Sequence, residues 1–374
     1  MASYVTAMTR IFLLSLILVQ LTLAAERKVW FGTGADGIYL SVLDDEKGTL
    51  SEPKRVAEVG SPGFVVLRKG GGHLYSTARG ERGEPGKVFG FEVKEDGSLV
   101  EIAQQSSGGG GPCHVDLTPD GKTLLVANYS GGNVASYLVK DDGTFGRAVS
   151  VQQHEGSSVH PKRQQRPHAH GFFAGPQGKF AYAPDLGIDK VVRYRVDSEE
   201  GKVTKLDTWT MDPGAGPRHL KVGPKGKFIY ALGELNLTVT VGELGGEKGP
   251  ETRQVISVLP EDADKSDLSC SEIRVHPNGK HLYTATRDLR DEGRARLTVF
   301  AIGDDGKLER AQVIAAGCAI PRNFALDPTG RWLLVAGQNS DTVVIFKVKE
   351  DGQLEATGRT VTVPRPMCVV YAEK

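Results

Sequence analysis

Excess charge of either sign is missing from this chain. The 46 basic residues are balanced by 46 acidic ones, and no stretch concentrates the positive charge that a general nucleic-acid surface needs. Sulfur is scarce as well. The four cysteines show no Cys-x-x-Cys spacing and the histidines no His-x-x-x-His spacing. The usual zinc patterns are therefore excluded, and no metal or other cofactor is expected. Long apolar runs occur only in the first two dozen residues. Elsewhere the hydrophobic runs are four to seven residues long, far short of the roughly 20 that span a bilayer as a helix.

The one long run has a basic flank at Arg10, an apolar core from Ile11 to Leu23 and a small-residue exit at Ala24-Ala25. That layout is a secretory signal peptide rather than a membrane anchor. Residues 1–25 are assigned to it, leaving a secreted or periplasmic mature chain with no stable membrane span. Export would permit two disulfides. However, Cys113, Cys270, Cys318 and Cys368 fall on different repeats, and a disulfide bridges Cα atoms only up to about 7 Å apart. Buried free thiols are the preferred reading, with two disulfides as the alternative.

What the chain has in abundance is glycine, 47 residues of it, and a recurring phrase. Gly111-Pro-Cys-His-Val-Asp-Leu-Thr-Pro-Asp-Gly returns as Gly216-Pro-Arg-His-Leu-Lys-Val-Gly-Pro-Lys-Gly and as Ile320-Pro-Arg-Asn-Phe-Ala-Leu-Asp-Pro-Thr-Gly, with weaker copies at Pro62, Pro167, Cys270 and Pro366. The copies lie roughly 45 to 55 residues apart, the period of a β-propeller blade. Within one copy, Phe324-Ala-Leu-Asp, Trp332-Leu-Leu-Val-Ala and Thr342–Val348 are short runs rich in β-formers, separated by Pro328-Thr-Gly and polar turns. This is strand-and-turn punctuation.

Six copies are continuous, and the seventh stops after Pro366–Tyr371. The segments around Val29–Phe31 and Ile38–Val42 supply its missing strands. The expected fold is therefore all-β: a seven-bladed β-propeller of four-stranded antiparallel blades over residues 26–374, with the last blade closed by both termini so that no edge is left open.

In such a ring the inner-strand starts converge on a funnel. His168 and His170 sit two apart in Arg166-Pro-His-Ala-His, on one face if that segment is a strand. Arg218 and His219 follow Gly216-Pro217, while Glu234 and Arg287 each follow a strand. A histidine can move a proton near neutral pH, a carboxylate can hold its tautomer, and arginines can stabilise an oxyanion. Together these groups suit attack on, or formation of, an ester carbonyl. The alternative for His114, His219 and His276 is hydrogen bonding between blades, and for Arg218 and Arg322 blade-to-blade ion pairs. The basic stretch His160–Arg166 reads as a solvated connection or as a feature favouring an anionic substrate. The sequons at Asn128 and Asn236 read as chance matches.

Gly-Pro-Cys-His-Val, Asp120-Gly-Lys-Thr-Leu-Leu-Val-Ala-Asn-Tyr-Ser-Gly-Gly-Asn-Val, Pro-His-Ala-His, Ala183-Pro-Asp-Leu-Gly-Ile-Asp-Lys-Val, Gly214-Ala-Gly-Pro-Arg-His-Leu and Val335-Ala-Gly-Gln-Asn-Ser-Asp-Thr-Val together resemble the seven-bladed lactonase family. That family includes propeller 6-phosphogluconolactonases and is similar to fungal carboxymuconate lactonising enzymes. The resemblance implies a metal-independent site in which His170 transfers the proton, Arg218 and Arg287 bind an anion or oxyanion, and Glu234 is a second acid/base or orienting group. His168, His219, His114 and Arg322 would complete the substrate contacts. The implied partner is a small-molecule lactone or sugar acid, handled by a monomer. The chain departs from the family pattern at Gly32-Thr-Gly-Ala-Asp, Ala78-Arg79, Gly233-Glu234 and Ala285-Thr-Arg287. A lactone-forming cycloisomerase and a non-catalytic binding propeller remain the other readings.

Overall fold

The computed structural model describes residues 26–80 and 85–372; the expected signal peptide lies outside them. Among the described residues every regular element is a strand, and no helix is long and apolar enough to cross a membrane. The strands form seven antiparallel sheets. Six are built from consecutive strands, with innermost strands Phe64–Leu67, Pro112–Leu117, Phe173–Ala174, Pro217–Val222, Leu268–Val275 and Pro321–Leu326. These are the first to sixth blades. The seventh joins Pro366–Tyr371 to Glu26–Thr33 and Gly37–Asp44, with Val29 opposite Tyr371 and Phe31 opposite Val369.

Each blade packs between two others, so its second strand is covered on both faces. Thr123–Asn128 and Trp332–Gly337 are buried at every position, which is why they read as unbroken apolar runs rather than alternating ones. The fourth strands face solvent on one side and alternate, as Lys202–Thr210 does. A second device joins the blades at their rims. A second-strand aromatic donates to the carbonyl of the outer turn of the next blade: Trp30 Nε1 to Gly97, Tyr75 Oη to Gly143, Tyr230 Oη to Gly306, Tyr283 Oη to Gly352 and Trp332 Nε1 to Asp45, at 2.8–3.1 Å. The Asp-Gly turns close hairpins through glycines at positive φ, such as Gly306 at 77°, and so also present the acceptors that tie the ring.

Two elements differ from the sequence expectation. The outer edge of the seventh blade is split into Thr49–Leu50 and Lys54–Glu58, both paired with Gly37–Asp44. Pro53 stands in the gap and has no N–H to continue the ladder. In the third blade the inner strand does not reach His168 and His170. It shrinks to Phe173–Ala174, with one isolated bridge between Ala169 and Asp185. The backbone N–H of His168 donates instead to the Asp185 carboxylate at 2.7 Å, which draws the chain out of the ladder. All four cysteines are unpaired. Cys113, Cys270 and Cys368 lie on inner strands and Cys318 just before one.

Candidate active site

The inner strands of neighbouring blades converge where their chains enter from the loops, and there they leave a basin of about 590 Å³. Its wall carries His170, Arg218, Glu234 and Arg287, the four residues expected to do chemistry, together with Arg322, Tyr129 and Arg163. Four segments place the core group. Arg218 is the second residue of its inner strand, and its Nε donates to the Ser271 carbonyl of the next blade at 2.6 Å. Glu234 directly follows the strand Phe228–Gly233, where its N–H is held by the Gly216 carbonyl. Arg287 lies near the end of His281–Asp288 and donates to the Cys270 carbonyl. His170 is fixed by its N–H to Pro184 O.

Glu234 is the hub. Its Oε2 accepts from Arg218 Nη1 at 2.8 Å, and its Oε1 from Arg163 Nη2 at 2.8 Å and Arg287 Nη2 at 3.2 Å. Burial is the largest influence on this carboxyl and acts to raise its pKa. Arg287, Arg218, His170 and Arg163 together overcome it and hold the group well below the usual carboxylate range, so Glu234 is ionised at neutral pH. His170 is shifted in the same direction, which leaves it uncharged. Burial, then the Arg218 charge, lower its pKa well below 6.5, and the ring is neutral.

The tautomer of His170 follows from its contacts. Nε2 faces Arg218 Nη1, and a guanidinium can only donate, so Nε2 carries the lone pair and Nδ1 the proton. Nδ1 lies 3.8 Å from Cys113 Sγ. Burial pushes the Cys113 thiol up to about 11, leaving it protonated. Nε2 is also 3.8 Å from Glu234 Oε2, close enough for the carboxylate to stabilise an imidazolium.

The other expected contacts separate. Arg322 lines the basin, has no acid partner among the described residues, and is destabilised as a cation by burial and then by Arg218 and Arg287. His168 stacks on Tyr129, with ring centroids 4.4 Å apart, and its Nδ1 donates to the Tyr129 carbonyl. It forms the backing of the wall rather than its surface. His219 lines a second cavity of about 20 Å³ that shares Arg218 and Arg322 with the basin, about one water's worth of space, and His114 packs against His219 with ring centroids 5.4 Å apart. His219 Nδ1 pairs with Glu272 of the next blade at 3.1 Å, and His114 Nδ1 accepts from Phe172 N–H of the next blade. His276 Nε2 donates to the Gly330 carbonyl of the sixth blade. All three tie blades together. Asn128, one of the sequon asparagines, is fully buried and donates to Ser107 O, which excludes it as a glycan acceptor in the fold.

Arg163 and Tyr129 were not among the expected site residues. Arg163 belongs to the basic stretch, of which Lys162 and Arg166 are indeed exposed. It comes from the segment Glu155–Pro167, which straps the second blade to the third and contributes Arg163 to the basin wall. The strap is held by Asp189, whose carboxylate accepts from the Gln164 amide, the Ser158 hydroxyl and the N–H groups of Gly214 and Gly216. The sequence signal was the basic stretch itself, in its alternative reading as a feature favouring an anionic substrate.

Comparison with known proteins agrees with this fold. Residues 28–371 match the family model described as a seven-bladed β-propeller lactonase. The chain is 34% identical over 342 residues to a 6-phosphogluconolactonase of Bacillus subtilis, covering 90% of this chain and 95% of that protein. It is 28% identical to a 6-phosphogluconolactonase of Formosa agariphila, covering 87% and 91%. The solved structure of a periplasmic gluconolactonase of Pseudomonas aeruginosa superposes with a TM-score of 0.86 at 29% identity, covering 93% of this chain and 99% of that one.

Proposed function

The chain belongs to the seven-bladed β-propeller lactonase family, and from that premise we propose that it hydrolyses a sugar lactone or related cyclic ester by acid/base chemistry in the basin. The observation that carries this reading is the convergence of a neutral His170 and a Glu234–Arg218–Arg287 ion cluster on one wall. In the resting site Arg218 occupies the His170 lone pair. A lactone carbonyl entering beside Arg218 competes for the guanidinium and releases Nε2. Water then attacks the carbonyl carbon and gives its proton to Nε2, while Arg218 and Arg287 stabilise the oxyanion. As the tetrahedral intermediate collapses, the ring C–O bond breaks and the imidazolium returns the proton to the leaving alkoxide.

Of the two roles expected for Glu234, the orienting one fits its surroundings. Its ion pairs leave it no proton to give at neutral pH, and its nearness to Nε2 favours the imidazolium that forms during attack. A metal-free reaction suits the same donor set, since the one imidazole and one carboxylate among the described lining residues are ringed by guanidinium groups that repel a cation. Export to the periplasm or beyond belongs to this reading too. It is supported by the pattern of residues 1–25 and by the periplasmic gluconolactonase among the structural neighbours, and mass spectrometry of the native protein should find Ala25 or Glu26 at its start.

The test is a pH-stat panel of aldonolactones with the purified mature chain, corrected for spontaneous opening. Enzyme-dependent opening of at least one member is expected. If none opens faster than the blank, the hydrolytic reading is wrong.

A further inference from the structure

Among the described residues the basin wall carries more positive charge than its one carboxylate balances. Glu234 faces Arg163, Arg218 and Arg287, while Arg322 stands on the same wall with no acid partner among those residues. Arg218 and Arg287 are fixed in place: their side chains are 3% and 8% exposed, and each also donates to a backbone carbonyl of the inner strands. Arg163 is different on each count. Its side chain is 36% exposed, it arrives on the strap rather than on an inner strand, and it donates from a single nitrogen to two side chains, Glu234 and the Tyr129 hydroxyl at 3.1 Å. The strap backbone beneath it is rigid, because Asp189 clamps Gln164 and Ser158 and the His160 ring accepts from the Arg163 N–H. The guanidinium can therefore turn into the basin while its Cα stays in place.

We propose that Arg163 is a specificity-determining residue that leaves Glu234 to bind a second anionic group, a phosphate or carboxylate, at the end of the sugar acid remote from the lactone carbonyl. This rests on the lactone reading of the site. A planar fork suits either anion, and the exchange of one carboxylate partner for another keeps the guanidinium paired throughout. Glu234 then retains Arg218 and Arg287.

Calorimetric titration of the whole mature protein tests it with three acids that differ only at the remote end: 6-phosphogluconate, the dicarboxylate glucarate, and gluconate. The wild type should bind one or both of the first two about tenfold or more tightly than gluconate, the scale of a charge-assisted hydrogen bond, and whichever wins identifies the anion. Arg163→Met should erase that preference while leaving gluconate binding within about twofold, and Arg163→Lys, which keeps charge without the fork, should retain part of it. A preference that survives in Arg163→Met, or a wild type with no preference, overturns the proposal. So does an equal loss for all three acids, which marks a structural role. Thermal unfolding of each variant checks that it is folded, and Arg163→Lys carries the test if the Met variant is not. Binding is read without turnover. A preference that depends on Arg163 in a protein that opens no lactone would sink the hydrolytic reading and leave this one standing.

Discussion

His170 presents a base whose lone pair is occupied until substrate arrives, and that has measurable consequences at single residues. Because burial and Arg218 hold its pKa well below 6.5, the imidazole stays competent as pH falls through the range where an ordinary histidine protonates. The acid limb of kcat/KM should therefore lie well below pH 6.5, with little loss between pH 7.5 and 6.5; a limb centred near 6.5 would assign the base elsewhere. His170→Ala should lower kcat by about 10²-fold or more, and Arg218→Ala by a similar factor, with both variants still folded although Arg218→Ala melts lower because it strips a partner from the buried Glu234. Arg322→Ala should act mainly on KM, since Arg322 lines the basin without joining the Glu234 cluster. A His170→Ala enzyme with full activity would refute the assignment.

Burial of neutral histidine also sets the pH response of the fold. His219 is lowered to about 4, chiefly by burial and only partly offset by Glu272, whereas an unfolded histidine titrates near 6.5. The unfolded chain thus binds more protons between these values. The stability tied to a neutral His219 is fully present above about pH 6.5 and is lost as pH falls toward 4. His114 and His170 are depressed in the same direction, so the melting temperature should decline from pH 7 to 5. A flat profile would mean that these rings protonate freely in the fold.

At this scale the sequence was informative where residue type and repeat position coincide. Arg218, Glu234 and Arg287 stand at strand ends that the repeat places around the axis, His170 stands just ahead of its shortened inner strand, and the four do meet. His168 could not be placed by the same rule, because the Asp185 carboxylate takes its N–H and spoils the alternation. Arg163 was beyond reach because no periodicity governs the strap. What brings it to Glu234 is a set of hydrogen bonds to Asp189, some 25 residues further along the chain.

Among the elements, the strap and the rim turns depend most on single groups. Asp189, itself at a positive φ of 53°, satisfies two side chains and two backbone N–H groups. Asp189→Ala leaves those donors without their acceptor at a cost of about 1–3 kcal/mol for each that stays buried. It should lower the melting temperature by several degrees and, by loosening the strap, weaken binding of the doubly anionic acids as Arg163→Met does. Unchanged stability in that variant would show the strap to be held by other contacts. The rim latches are individually weaker. Tyr283→Phe removes one hydrogen bond to Gly352 O and should cost on the order of 1 kcal/mol without touching activity. Four of the five turns that supply these acceptors were legible as Asp-Gly pairs, since only a few residue types tolerate the required φ. The partners of their carbonyls were not, because they sit on the neighbouring blade.

For the whole molecule the decisive feature is that one strand closes the ring. Pro366–Tyr371 pairs with Glu26–Thr33, and its side chains enter two cores at once: Cys368 packs with Trp30 and the first-blade residues Val65 and Leu74, while Val369 and Tyr371 pack with Phe31 and the sixth-blade residues Leu334 and Ile345. The buried Arg27–Asp45 pair, at 2.8 Å, adds a further bond from Arg27 to the Ala372 carbonyl. Closure was readable from the sequence because the count of blades left one strand at the C-terminus and its complement at the N-terminus. Its energetic weight follows from the packing. Burial of a large apolar side chain is worth about 1.5–3 kcal/mol, and the net stability of a domain is only about 5–15 kcal/mol. Removing Cys368, Val369 and Tyr371 also bares the edge of Glu26–Thr33 and the facing surfaces of two blades, so the loss is of the same order as the whole margin. Deleting residues 366–374 should therefore yield a protein that is aggregated or melts about 10 °C lower, because a loss of about 7 kcal/mol is needed for that shift at the roughly 1.4 °C per kcal/mol expected of a chain of this size. Scanning calorimetry and size-exclusion chromatography of the truncated and full mature chains would decide it. A truncated chain that stays monomeric with an unchanged melting temperature would mean that the ring does not depend on its terminal strand, and that the blades support one another without closure.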